Sequence, residues 1–195
     1  MRALIVAASL VLAGPALVAA SEPETSAEQT AADSDIKAAR LDGLFAELQA
    51  AQTPAQGKAI ERRILLEWLR SGDKTVDTMM TAAVVAMDMH AFRPAIELLD
   101  KVVAEKPDYV EGWNKRATVY YYMGQYDRSL ADIEKTLAIE PRHFGALAGL
   151  GMIMQDVGNV PGAIAAFERA VAVNPSLENL KAAIGQLKAR IGRDI

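Results

Sequence analysis

Cysteine is absent from this chain of 195 residues, and aromatic residues make up only 6% of it. The absence of cysteine excludes disulfide bonds, thiolate metal sites and the acylated cysteine of a lipoprotein. A hydrophobic share of 51% with so few aromatic rings means that alanine and aliphatic residues dominate, which favours helices. The folded protein is therefore expected to be held together by helix packing alone.

Clusters of basic residues are also lacking. The chain has 21 lysine and arginine residues against 25 aspartate and glutamate residues, for a net charge of -4. Proteins that bind nucleic acid concentrate lysine and arginine on one face or along one helix. We therefore expect no nucleic-acid partner.

Long hydrophobic runs are confined to the start of the chain. Residues 1–20 carry one early arginine, an apolar run that Gly14-Pro15 interrupts, and a final small residue at Ala20, a pattern typical of a secretory signal peptide. The run is shorter than the roughly 20 residues that a membrane-spanning helix needs. We expect an exported, periplasmic protein that is not inserted in the membrane after cleavage. Secretion, or anchoring by an uncleaved signal, is the alternative.

A period of 34 residues organises the second half of the chain. Five columns keep this spacing, and such agreement indicates a repeat architecture. They are Pro107, Pro141 and Pro175; Met79, Trp113 and Leu147; Ala83, Ala117 and Gly151; Ala86, Tyr120 and Met154; and Leu99, Ile133 and Phe167. The column of small residues predicts that two helices of each unit approach closely there.

The repeats resemble the tetratricopeptide repeat (TPR) family. The middle unit carries the resemblance with Trp113, Ala117, Tyr120, Gly124, Tyr126, Ser129, Leu130, Ile133 and Pro141. The resemblance implies an all-α solenoid of helical hairpins with a concave groove. With the signal peptide, the layout is also similar to the exported TPR proteins of Gram-negative bacteria.

The repeats divide the chain into segments. The three units are expected at residues 76–109, 110–143 and 144–177, followed by a capping helix at residues 178–191. Two apolar stripes in residues 36–72 predict a helical pair, either a degenerate repeat or a cap over the front of the array. Residues 21–35 are polar and acidic without periodicity, which predicts a flexible spacer.

Residues that could support catalysis are few. His90 and His143, the only histidines, are predicted in turns at opposite ends of the helices, so they cannot share a metal or a proton. Gly145, Gly149 and Gly151 match no phosphate-binding loop, and no nucleophile elbow or zinc-protease motif occurs. We expect no cofactor, no metal and no enzyme activity. An enzyme that uses His143 is the least favoured alternative.

A second stripe runs beside the buried one on the first helix of each unit. The resemblance implies that this stripe lines the concave groove. It carries methionine, valine, threonine, asparagine and tyrosine where a solvated face would carry charged residues, and such side chains suit recognition of a partner. The expected groove residues are Met80, Val84, Met87, Glu111, Asn114, Thr118, Tyr121, Tyr122, Gly145, Ala148, Met152 and Gln155.

The sequence therefore predicts a non-enzymatic module that binds a partner peptide or helix in this groove, as an adaptor in the cell envelope. Some TPR domains grip chaperone carboxylates through a clamp of lysine, asparagine and arginine. Asn114 occupies one clamp column, but Thr118, Gly145 and Gly149 stand where further polar and basic residues would be needed. The pattern favours a less charged partner. The alternative function is a self-associating structural protein, a homo-oligomer, whose groove is covered internally by residues 36–72 or the acidic segment before them.

Overall fold

Nine α-helices follow one another in residues 26–192, which are the residues that the computed structural model describes. They are α1 (Ser26–Ala50), α2 (Pro54–Leu69), α3 (Lys74–Asp88), α4 (Phe92–Glu105), α5 (Val110–Tyr122), α6 (Tyr126–Ile139), α7 (Phe144–Asp156), α8 (Val160–Val173) and α9 (Glu178–Ile191). The prediction of an all-α fold is confirmed, since these residues contain no strand. None of the nine helices combines the length and the apolar character needed to cross a membrane.

The start of α1 corrects one prediction. The helix begins at Ser26, so residues 26–35, which the sequence analysis assigned to a flexible spacer, are helical. Three of its ten residues are alanine, the strongest helix former, and a helix extends more easily than it starts. The predicted signal peptide at residues 1–20 and the first part of the spacer lie outside the described residues.

Helices α3 to α8 form three antiparallel hairpins. Each hairpin turns at one residue with left-handed backbone angles, namely His90 (φ 57°), Gly124 (φ 69°) and Gly158 (φ 80°). Histidine is one of the few residues other than glycine that tolerates these angles, so the prediction of His90 as a turn residue is confirmed. Because each hairpin reverses the chain, α3, α5 and α7 run parallel to one another and form one layer of the array.

Small residues let the two helices of each hairpin approach closely. Ala83 and Ala117 are buried at this column, and so is Gly151. A β-carbon at Gly151 would lie 2.4 Å from Cδ1 of Phe167 on α8, a distance that real β-carbons do not show. The predicted close approach is confirmed most sharply in the third hairpin.

The α2 helix and the α1 residues from 36 onward pack along the edge where one hairpin joins the next. Leu44, Phe45 and Trp68 share a buried cluster with Val110 and Phe144, the first residues of α5 and α7. The helical pair therefore covers the beginnings of two repeat helices. It does not extend the array at its front, where α2 would have to stack on α3 as a further repeat; it packs on α5 instead.

Polar contacts connect this pair to the two junctions between hairpins and to the turn that joins the third hairpin to α9. At the first junction, the Tyr109 hydroxyl donates to the Leu69 carbonyl at 2.8 Å. At the second junction, Arg142 forms an ion pair with Asp42 of α1 at 2.6 Å. In the turn before α9, the Asn174 side-chain amide donates to the Glu61 carboxylate at 2.9 Å. The helical pair thus spans the array along one edge.

His143 joins three helices at the middle of this edge, and its side chain is 1% exposed. Its Nδ1 atom accepts a hydrogen bond from the Ala146 amide at 3.0 Å and caps α7. Since Nδ1 accepts, Nε2 carries the proton and donates to Glu111 Oε2 of α5 at 3.0 Å. The imidazole also stacks on Trp68 of α2, with 4.1 Å between ring centroids. This one side chain fixes α2 and α5 relative to α7.

Glu111 is buried and receives three donors. Besides His143, the Asn114 side-chain amide donates to it at 3.2 Å and the Lys115 ammonium lies 2.8 Å from Oε1. Burial by itself would raise the pKa of Glu111. The hydrogen bond from His143 and the charge of Lys115 outweigh burial, so the pKa of Glu111 falls to about 2. A charged carboxylate inside the protein is therefore stable in this position.

We expect Gly151→Ala to lower the free energy of unfolding by about 1–3 kcal/mol, because the added methyl group overlaps the Phe167 ring. Gly185→Ala is the matched control, since a β-carbon at Gly185 of α9 meets nothing within 4 Å. Alanine is the better helix former, so this control should be as stable as the parent or more stable by up to about 1 kcal/mol. Urea unfolding followed by circular dichroism measures both. Equal stability of the two variants would contradict the close packing.

The pKa of Glu111 predicts how stability depends on pH. Because that pKa is about 2 in the folded protein and 4.5 for an ordinary glutamate in the unfolded chain, Glu111 stabilises the protein above pH 4.5 and loses this contribution as pH falls through 2. A shift of this size corresponds to about 3 kcal/mol. Glu111→Gln should therefore unfold more easily at neutral pH and show a flatter pH dependence of the unfolding free energy in the acid range. Glu97→Gln, which removes an exposed charge on α4, should keep the parent slope. If Glu111→Gln also kept it, the assignment would be wrong.

Candidate functional site

A cavity of about 140 Å³ lies between α5, α6 and α7. We call it the groove cavity. Its lining residues are Asn114, Ala117, Thr118, Tyr121, Tyr122, Ser129, Ile133, Gly145, Ala146, Ala148, Gly149 and Met152. The groove cavity therefore lies on the face of the array where α5 and α7 run side by side.

One wall of the groove cavity is made by the small residues of α7. Gly145, Ala148 and Gly149 expose helix backbone to the cavity. A β-carbon at Gly149 would lie 3.5 Å from the Ile133 side chain, an ordinary contact distance. Packing therefore does not require glycine at position 149, in contrast to position 151. Because Gly149 has no side chain, the cavity stays open.

The floor of the groove cavity is apolar. Ala117, Ile133 and Ala146 are all buried and belong to one hydrophobic cluster of the second and third hairpins. Thr118 stands at the side and donates its hydroxyl to the Asn114 carbonyl at 2.9 Å. A guest that enters the cavity therefore meets hydrocarbon at the bottom and polar atoms only at the wall.

A carboxylate and a second tyrosine lie next to Tyr121, which lines the groove cavity. The hydroxyls of Tyr121 and Tyr126 both donate to Oδ2 of Asp156, at 2.9 Å and 3.0 Å. Burial and the hydrogen bond to Asp156 raise the pKa of Tyr121 to about 12. These tyrosines stay neutral in the physiological range, and Asp156 supplies the negative charge.

The outer rim is aromatic. The Tyr122 side chain is 61% exposed although it is large and largely apolar. It stacks on Phe92 of α4 with 5.8 Å between centroids and an angle of 11°. Tyr121 meets it edge to face at 5.7 Å. Exposed aromatic rings that are held in place by neighbours are typical of binding surfaces.

A second cavity, of about 250 Å³, lies where α3 begins and α4 ends. Its lining consists of Asp73, Thr75, Val76, Glu105 and Lys106. The Asp73 carboxylate already accepts two backbone amides as the cap of α3, which lowers its pKa. This cavity is polar at its surface and offers no convergent set of free groups, so the groove cavity is the better candidate site.

Seven of the twelve residues that the sequence analysis expected in the groove line the groove cavity. They are Asn114, Thr118, Tyr121, Tyr122, Gly145, Ala148 and Met152. Gln155 is exposed further along α7. Val84 and Met87 are partly buried against the core of the first hairpin. The structure therefore brings together seven of the expected residues, all on α5 and α7, and none of those on α3.

Two expected groove residues are corrected, because both are buried. Met80 is 3% exposed and packs with Ala83, Leu99 and Tyr109, where a long flexible side chain fills the core of the first hairpin. Glu111 is also 3% exposed and bonded to His143. Neither side chain can touch a partner in the groove.

The contacts of His143 with Glu111 and Trp68 were not foreseen from the sequence. The signal that could have suggested a capping role for His143 is its place directly before α7, where side chains cap helices. Nothing local pointed to Glu111 or Trp68, which lie 32 and 75 residues before it. With both ring nitrogens engaged inside the protein, His143 has no free atom to offer a substrate.

Comparison with known proteins gives the family. The family profile of the tetratricopeptide repeat matches residues 110–143. A TPR repeat-containing protein of Rhizobium etli is 36% identical over 189 residues, which cover 97% of this chain and 92% of the relative. These two matches agree with the repeat that the sequence analysis placed in the middle of the chain.

Solved structures share the fold. The Sgt2 TPR domain of Aspergillus fumigatus superposes with a TM-score of 0.58 at 22% identity, over 63% of this chain and 82% of that domain. The first TPR of Spaghetti, solved with an HSP90 peptide, gives 0.57 at 13% identity, over 60% and 93%. The chain resembles its Rhizobium relative along almost its whole length and shares its repeat fold with these structures, and it belongs to the tetratricopeptide repeat family.

Proposed function

We propose that this protein is a non-catalytic module that holds a segment of another protein in the groove cavity. TPR domains mediate interactions between proteins, and stacked repeats present extended concave surfaces for that purpose. The observation that carries the proposal is the groove cavity itself, with an apolar floor at Ile133 and a backbone wall at Gly145 and Gly149. Such a site can take a side chain of a partner.

The size of the cavity favours a protein segment over a small molecule. Pockets for drug-sized ligands occupy about 300–1,000 Å³. A volume of about 140 Å³ suits one apolar side chain, with the rest of the segment lying along α5 and α7. The exposed Tyr122 ring would then extend the contact beyond the cavity.

The helical pair does not line the groove cavity. Helices α1, from residue 36, and α2 pack on Val110, Phe144 and the junctions between hairpins, and no residue from 36 to 72 lines the groove cavity. This arrangement supports binding of an outside partner over the alternative in which the helical pair fills the groove. The catalytic alternative based on His143 has no support from its buried, fully engaged ring.

We further propose that the module works as an adaptor in the cell envelope of a Gram-negative bacterium. The support is the signal-peptide pattern of residues 1–20. Export would bring the groove into contact with periplasmic partners, or with secreted or membrane-anchored ones.

The groove is tested by filling it. Gly149→Leu places a side chain in the groove cavity and replaces glycine inside a helix, which adds up to about 1 kcal/mol of helix propensity. With a photoreactive phenylalanine analogue at Tyr122, the parent protein in its host cells should give a discrete crosslinked adduct. Gly149→Leu should weaken that adduct at least severalfold, because the leucine occupies the partner's place.

Gly185→Leu is the matched control, since it makes the same substitution on α9, where a β-carbon has open space. It should crosslink as the parent does. An adduct that survives in Gly149→Leu at the parent level would contradict binding in the groove cavity.

The export proposal is tested on the mature protein. The N-terminal sequence of the protein purified from the periplasm should begin at Ser21, because Ala20 precedes the predicted cleavage site. Recovery of the protein only from the cytoplasm, with Met1 intact, would contradict export.

A further inference from the structure

Apart from the hydroxyl of the exposed Tyr122 at the outer rim, the side-chain hydrogen-bond donors around the groove cavity are already used within the protein. The Thr118 hydroxyl donates to the Asn114 carbonyl, and the Asn114 side-chain nitrogen donates to Glu111. The Tyr121 and Tyr126 hydroxyls both donate to Asp156. A hydroxyl has a single proton to donate, so three of these four groups have none left for a guest.

Besides the Tyr122 hydroxyl, the polar side-chain atoms that stay free at the groove are hydrogen-bond acceptors. With the nitrogen of its amide turned to Glu111, Asn114 presents Oδ1 towards Gly145, where a β-carbon would lie 4.0 Å from it. Asp156 has Oδ1 free of protein donors, because both tyrosines bond to Oδ2. In the part of the chain that the structure describes, no lysine, arginine or histidine forms an ion pair with Asp156.

The position of Asp156 adds to its attraction for a cation. It is the last residue of α7, and the carboxyl end of a helix carries a partial negative charge. The rings of Tyr121 and Tyr126 stack beside it with 5.8 Å between centroids. The carboxylate and the helix end together form a site that favours a positive group.

The basic side chains of α5 are already paired with acidic ones, and Arg128 and Lys135 of α6 are not among the residues that line the groove cavity. Lys115 pairs with Glu111, and Arg116 pairs with Asp100 and Asp132 on the far side of α5. The α7 sequence contains no basic residue at all. An acidic segment in the groove would meet carboxylate and acceptor oxygens without a counter-charge, which is unfavourable.

We propose that the groove binds an apolar segment that carries a lysine or arginine, with its cationic group on Asp156 and an apolar neighbour in the groove cavity against Ile133. The inference rests on the proposed function and specifies the partner's chemistry. It differs from the acidic HSP90 peptide SRMEEVD found with the first TPR of Spaghetti. Recognition of an acidic peptide would require basic residues at the groove, whereas this chain has the carboxylate of Asp156 beside it.

The test uses random peptides displayed on phage and selected on the full immobilised protein. We expect the selected peptides to combine a lysine or arginine with leucine, methionine or similar residues. Asp156→Asn keeps an acceptor for the tyrosines and should weaken the synthetic forms of these peptides by about twofold to fivefold, with the loss shrinking at high salt. Asp156→Lys should select acidic peptides instead.

Glu97→Gln is the matched charge control, because it removes an exposed carboxylate on α4, away from the groove cavity. It should bind the same peptides with parent affinity. Equal losses in Glu97→Gln and Asp156→Asn would mean that only the net charge of the protein matters, and this would overturn the inference.

The outcomes separate the inference from the function on which it rests. Peptides that lose binding in Gly149→Leu but carry no basic residue, or ignore Asp156→Asn, leave the groove function in place and overturn the cationic partner. Peptides that bind Gly149→Leu as well as the parent contradict both, because their site is elsewhere. A library that yields no binder also contradicts both.

Discussion

The contact between His143, Glu111 and Trp68 is the interaction on which the placement of the other helices depends. A single imidazole caps α7, donates to a buried carboxylate of α5 and stacks on a ring of α2. Each of these bonds uses a different face or atom of the side chain, so no part of it is free to move alone. The groove cavity lies between α5 and α7, so its width depends on this contact. Asn114 lines the cavity and donates to the same carboxylate, so the contact also holds part of the lining in place.

Helix packing supplies the second constraint, and it separates glycines that look alike in the sequence. Gly151 is required because the Phe167 ring occupies the space of a β-carbon, whereas Gly149, two residues earlier on the same helix, has room for one. The first glycine holds α7 against α8, and the second leaves a cavity in front of α7. The core and the groove cavity thus use opposite faces of one short helix. This division explains how a repeat can keep its core while its groove changes to suit a partner.

The repeat period made most of the fold predictable, and long-range contacts account for what was missed. Residues 34 apart repeat the same local contacts, so Gly124 and Gly158 show what the backbone must do at His90. The resemblance to the TPR family then pointed to the lining residues of α5 and α7. It failed at Met80, because the α3 position that faces the groove elsewhere is filled by the core of the first hairpin. It also failed at Glu111 and Trp68, since no period relates them to His143.

The helical pair was predicted from its apolar stripes, but its position along the junctions depends on contacts with Val110 and Phe144, which lie far away in the sequence. The missing clamp residues favoured a less charged partner, whereas the hydrogen bonds from Tyr121 and Tyr126 place the Asp156 carboxylate beside the groove cavity.

The central claim is that a partner segment lies between α5 and α7. Backbone amide chemical shifts of the isotopically labelled protein, recorded during titration with a basic, apolar peptide obtained by selection, test it most directly. The account predicts the largest changes in residues 114–122 of α5 and 145–156 of α7, with little change in α1, α2 and the outer faces of α4 and α8. Changes centred on the helical pair or on the outer helices, with α5 and α7 unaffected, would contradict it.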